Sequence, residues 1–192
     1  MAPLKRSIVG WVVLIYALGL GFAAGLTINH AQPPKRSGDR WPAGYAVRVD
    51  LSELHVKGLT DSELRFAYIE ACQAWESVCG IRFKFVVAGE RANLVPGFGR
   101  VDGTDHTLAK TMSVYGVALP DSRHDQVFDA DEDWKAHGIA YFRKIATHEV
   151  GHAIGIHHLY GRSLMSPYEQ HTITTLQPPE IAQAMLRYGP PK

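Results

Sequence analysis

Four histidines fall within eleven residues, His148-Glu149-Val150-Gly151-His152-Ala153-Ile154-Gly155-Ile156-His157-His158, and they fit the pattern H-E-x-x-H-x-x-G-x-x-H at every fixed position. Residues four apart on a helix share a face, so His148 and His152 can reach one ion together. Continued helix would carry later side chains away along the axis. Gly155 can take the left-handed conformation that ends a helix, letting the chain turn back so that a third imidazole approaches from the loop. His157 and His158 compete for that third place, and the three-residue step from Gly155 favours His158. Three neutral imidazoles suit zinc, keep its +2 charge undiminished and leave a fourth position for water. Such an ion makes water acidic and polarises a carbonyl. Glu149 stands next to a ligand without being one, which makes it the candidate general base and then the proton carrier to a leaving amine.

These side chains need a scaffold, and the rest of the chain supplies one. Tyr45 to Leu51 alternates polar and apolar residues as a half-buried strand does. Thr60-Asp61-Ser62-Glu63 is a helix-start signal. From Leu64 to Val78, apolar Leu64, Ala67, Tyr68, Ala71, Ala74, Trp75 and Val78 recur at helical spacing until Gly80 stops them. Ile81, Phe83 and Phe85 alternate with charged residues as a second strand. The Gly- and Asp-rich middle offers strand pieces at 92–95 and 114–119. A second helix is predicted over 136–155 and a third over 179–188. Cys72 and Cys79 lie seven residues apart, roughly 10 Å on a helix, too far for a disulfide, so both are expected as free buried thiols. The order of elements predicts an α/β or α+β fold.

The zinc pattern resembles the signature of the metzincin metalloproteases, and other segments resemble their matrixin branch, the matrix-metalloprotease-like proteins. Ser163-Leu164-Met165-Ser166-Pro167-Tyr168 is similar to the methionine turn that lies beneath the zinc. Residues 74–83 resemble the first helix and following strand, residues 127–134 the segment before the active-site helix, and residues 179–189 the closing helix. The resemblance covers roughly residues 41–189. It implies a twisted, mostly parallel sheet with three helices, an active-site cleft, and zinc held by His148, His152 and His158 with Glu149 catalytic. It implies Met165 beneath the metal and a specificity-pocket wall from Pro167 and Tyr168. A protein or peptide substrate would lie along an edge strand, placed at 114–119 with 108–112 as the competing stretch. Asp129 and Glu132 match positions that hold calcium in the family, although an acidic surface loop explains them equally well. A second, structural zinc is not expected, because Val127 stands at a ligand position and His106 and His124 do not restore the spacing. Latency through an inhibitory cysteine is not expected either. The methionine turn reads Met-Ser-Pro where the family usually has Met-Tyr-Pro, which leaves the pocket preference open.

The chain has 192 residues, 46% apolar and 20% charged, which suits one globular domain with an appendage. A net charge of +1 argues against a nucleic-acid binder that relies on a basic field. Lys5 and Arg6 precede an uncharged run of 19 residues, Ile8 to Leu26, about 28 Å long as a helix. Residues 1–28 are thus expected to be a signal anchor, or a signal peptide cleaved after small residues near Ala23-Ala24-Gly25. Residues 29–40 read as a linker and 41–192 as the catalytic domain. The expected protein is an exported, monomeric zinc endopeptidase, membrane-anchored or secreted. The rival class is a catalytically silent metzincin-like module that binds extracellular proteins. Such a module has no need of Glu149.

Overall fold

Thr60 and Glu63 close a reciprocal capping box. The Glu63 N–H donates to Thr60 Oγ1 at 3.2 Å and the Thr60 N–H to Glu63 Oε2 at 2.9 Å. Helix α1 (Asp61–Glu76) starts there and buries Leu64, Ala67, Tyr68, Ala71, Cys72 and Trp75 along one stripe. It ends two residues short of the predicted Val78, at a Ser77 cap whose N–H donates to Gln73 O. This is a computed structural model that describes residues 40–113 and 122–192.

The strands are β1 (Ala46–Asp50), β2 (Arg82–Val86), β3 (Leu94–Gly99), β4 (Ala109–Ser113) and β5 (His124–Asp129). They form one mixed sheet in the order β2-β1-β3-β5-β4. β1 pairs in parallel with β2 and β3, and β3 in parallel with β5, while β4 runs antiparallel to β5 at the edge. The parallel β1–β2 pair needs a crossover, which α1 provides. Sheet and helices make an α/β architecture with three long helices, as expected.

Other elements also differ from the sequence reading. β5 was read only as the segment before the active-site helix. Its polar start, His124-Asp125-Gln126, hides an alternation that becomes legible only with neighbours on both sides, β3 and β4. The predicted second helix is two: α2 (Trp134–His137) and α3 (Ile139–Ala153), separated by Gly138 at φ 79°. That left-handed residue redirects the chain without a Cβ penalty. Strand β3 also starts later than predicted and runs on to Gly99. The strand piece expected at 114–119 lies outside the described residues, as do the N-terminal segment and nearly all of the linker. Among the described residues, no helix is long and apolar enough to cross a membrane.

The closing helix α4 (Pro178–Tyr188) begins one residue before its predicted start. Cys72 and Cys79 are free and buried, as their spacing implied. Between sheet and helices, Phe98, Phe128, Trp134 and Phe142 pack ring against ring, the Phe128–Phe142 centroids 4.8 Å apart. This aromatic cluster seats the first turn of α3 on β3 and β5.

Candidate metal centre

Helix α3 carries His148, Glu149 and His152 in its last two turns, all buried. Its end is a Schellman turn. The Gly155 N–H donates to His152 O and the Ile156 N–H to Gly151 O, both at 2.9 Å, with Gly155 at φ 80°. The carbonyls left over at the terminus are taken by distant side chains, Trp41 Nε1 on Ala153 O (3.1 Å) and Tyr188 OH on Ile154 O (2.8 Å). Both ends of the domain thus clamp the end of the helix that presents the histidines.

The turn brings His158 to the other two. The nearest ring nitrogens of His148, His152 and His158 all lie within 4.8 Å of one another, with ring centroids 4.6, 5.0 and 5.3 Å apart. His157, the rival third ligand, is not part of this cluster. His148 Nδ1 lies 2.7 Å from Leu164 O and His152 Nδ1 lies 2.8 Å from Ile156 O. A carbonyl oxygen only accepts, so each Nδ1 carries the proton and each Nε2 keeps its lone pair. Those two Nε2 atoms approach to 2.9 Å. Two lone pairs so close repel unless a cation or a proton lies between them. The donor set therefore fits a divalent ion that prefers nitrogen, with the backbone carbonyls fixing ring tautomer and orientation.

The methionine turn is anchored to the same spot. Leu164, whose carbonyl receives His148, donates its own N–H to Glu180 Oε1 at 2.7 Å, and Ser163 Oγ donates to Glu180 Oε2 at 2.8 Å. Leu159 N–H donates to Met165 O at 2.9 Å, tying the third-histidine loop to the turn. Met165 is fully buried and packs on Gly151, where an added Cβ would meet its Sδ at 2.6 Å and Trp75 Cζ2 at 2.8 Å. The glycine inside the histidine pattern is thus a packing requirement. Beyond the turn, Pro167 is half-buried and Tyr168 is 58% exposed. Glu180 was missed by the sequence reading, which saw only a helix there. A glutamate three residues into a helix that starts with Pro178-Pro179 was the available signal, and it pointed to a cap.

Glu149 is fully buried. Its Oε2 accepts from Thr111 Oγ1 at 2.6 Å, while Oε1 is buried with no hydrogen-bond partner among the described residues. Burial pushes this carboxyl up to about 8, against the lowering effect of the Thr111 hydroxyl.

The other predicted sites fare differently. Asp129 Oδ2 accepts from the N–H groups of Asp102 (3.0 Å) and Gly103 (2.9 Å), and its Oδ1 from Asp131 (3.0 Å). Glu132 Oε1 accepts from Asp105 N–H at 2.8 Å. These oxygens hold the 102–105 loop against the turn after β5, which explains the residues without calcium, and calcium is not supported there. Val127 lies in the middle of β5, paired with Lys110 on β4 and Gly97 on β3. Among the described residues, the histidine triad is the sole group of three or more His, Cys, Asp or Glu side chains that converges.

The matrixin peptidase family model matches residues 40–183. The chain belongs to the matrixin family. Among its relatives, human matrix metalloproteinase-19 is 32% identical over 142 residues, 65% of this matrixin and 26% of that protein. Human matrix metalloproteinase-17 is 33% identical over 111 residues, covering 52% and 18% respectively. The hatching enzyme of Paracentrotus lividus is 29% identical over 155 residues, covering 77% and 25%. This matrixin thus spans about a quarter or less of the length of these relatives. Membership supports a metalloendopeptidase at the level of the family, and the family implies zinc.

Proposed function

We propose that this matrixin is a zinc-dependent endopeptidase that cuts exported or extracellular polypeptides. The observation that carries the reading is the convergence of three imidazoles beside a buried glutamate with one unpartnered oxygen. His148, His152 and His158 would hold the zinc, and Met165 would pack beneath it. Zinc, when bound, supplies Lewis acidity that acidifies a water and polarises the scissile carbonyl. Glu149 takes the proton from the attacking water and delivers it to the leaving amine nitrogen. Burial raises the affinity of this carboxylate for a proton, which strengthens it as the base.

β4 pairs with β5 on one side only among the described residues, so its other edge is available to an extended peptide as an added strand. Of the two candidate stretches for that role, 108–112 overlaps β4, and 114–119 lies outside the described residues. Pro167 and Tyr168 follow the methionine turn and are assigned to the wall of the specificity pocket. The apolar run at 8–26 supports a location outside the cytoplasm, tethered or released. The domain is proposed to act as a monomer.

The test is cleavage of a peptide library by the full chain, with and without a zinc chelator, alongside Glu149→Gln. The variant is expected to keep one zinc per chain and lose about 10²- to 10⁴-fold in turnover. Undiminished turnover in the variant, or in the chelated protein, would remove the mechanism.

A further inference from the structure

We propose that Thr111, held by Gln126 and Tyr68, is a positioning residue that fixes the carboxylate of Glu149 and links it to the edge strand. The inference rests on Glu149 acting as the base. Four buried polar side chains from four elements form one continuous chain. Tyr68 on α1 donates its hydroxyl to Gln126 Oε1 on β5. Gln126 Nε2 donates to Thr111 Oγ1 on β4 at 3.1 Å. Thr111 Oγ1 donates to Glu149 Oε2 on α3 at 2.6 Å and lies 3.3 Å from Glu149 O. Tyr68, Gln126 and Glu149 are 0% exposed and Thr111 is 5% exposed.

Such a chain is costly to bury. It runs through the buried interior, where apolar side chains would pack without any polar group to satisfy. Its polarity is uniform, since every donor along it points toward Glu149. A threonine hydroxyl has one proton. With Gln126 donating into its lone pair, that proton is committed to Oε2, and the carboxylate cannot rotate freely. Oε1 is thereby left as the oxygen for the reacting water, in agreement with its lack of a protein partner. Because Thr111 sits in β4, the same bond sets the distance between the base and a peptide lying along that strand.

The experiment compares Thr111→Val, Thr111→Ser and Tyr68→Phe in the full-length zinc-loaded protein. Valine keeps the shape and removes the hydroxyl. Thr111→Val is expected to lower kcat about 10- to 100-fold, the effect of losing a hydrogen bond to a charged group, with KM and zinc content unchanged. Thr111→Ser should restore most of the loss. Tyr68→Phe, one neutral bond further out, should cost about 2- to 10-fold. In the metal-free protein, the Thr111 hydroxyl proton should exchange slowly enough for detection by NMR, and its resonance should move in Tyr68→Phe. Wild-type kcat in Thr111→Val, or a serine variant as slow as the valine one, overturns the proposal. So does a Thr111 hydroxyl resonance indifferent to Tyr68. If Thr111→Val does not fold, the serine and phenylalanine variants and the NMR readout decide. Glu149→Gln separates the two readings: an inactive Glu149→Gln with a fully active Thr111→Val sinks only the role of Thr111, whereas an active Glu149→Gln sinks the function itself.

Discussion

The histidine cluster at the end of α3 and the acidic loop after β5 both present residue types that bind metals; the sequence assigned zinc to the first and left calcium or a plain acidic loop open for the second. They differ in where their lone pairs go. At the triad, the backbone takes the ring protons on Nδ1, and the Nε2 lone pairs of His148 and His152 are turned toward each other at 2.9 Å. At the loop, backbone N–H groups take the lone pairs themselves, three on Asp129 and one on Glu132 Oε1, while Glu132 Oε2 is buried without a hydrogen-bond partner among the described residues. A residue type that can ligate becomes a ligand only where the fold occupies its other valence and leaves the donor atom facing its fellows. Where the fold satisfies the donor atom directly, the same residue is a bracket for the backbone.

Removing one residue from each region is the strongest way to break that contrast. His152→Ala should lower zinc affinity by more than about 100-fold, beyond the range typical of losing an outer partner, as read by competition with a chromogenic chelator. Undiminished zinc binding would mean that the ion sits elsewhere. Asp129→Ala should leave zinc content intact and lower stability by roughly 3 kcal/mol in urea melts, because three backbone amides near it lose their acceptor. Millimolar calcium should not raise the melting temperature of the wild type. A calcium-dependent rise lost in Asp129→Ala would reinstate the ion there.

The smallest effect lies in the pH dependence of the loop, where the two carboxylates pull in opposite directions. Burial would raise Asp129, but the bonded N–H groups of Asp131, Asp102 and Gly103, with a smaller pull from the Val101 N–H, outweigh it and hold the carboxyl below its ordinary value. Its stabilisation is therefore present above the unfolded value of about 4 and is lost as pH falls through the folded one. Glu132 is raised, chiefly by burial and against the pull of the Asp105 N–H. Its contribution has the opposite sign, favourable at low pH and lost as pH rises through the folded value. Glu132→Gln keeps an oxygen for Asp105 and should change neutral-pH stability by less than about 1 kcal/mol, upward, while flattening the loss on raising pH. A strongly destabilised Glu132→Gln would mean that the charge itself holds the loop.

How much could be read in advance followed the range of the interactions involved. The Thr60–Glu63 capping box, the buried stripe of α1 and the turn at Gly155 depend on neighbours within five residues, and all were legible. β5 was not, because its polar residues are satisfied from afar: Gln126 by Tyr68, 58 positions away, and by Thr111, 15 positions away. Glu180 read as an ordinary helix-start residue, and only the packing of α4 under the methionine turn turned its second oxygen toward Ser163.

By itself, the sequence determined which side chains could share an ion, because helical pitch and a glycine-terminated turn are local consequences of residue identity. The tertiary structure alone decided which acidic residues would be bracketing groups, which strand would lie at the edge, and which hydroxyl would grip Glu149. Those outcomes depend on chain segments meeting across the core, and neither spacing nor residue type encodes who the distant partner of a buried polar atom will be.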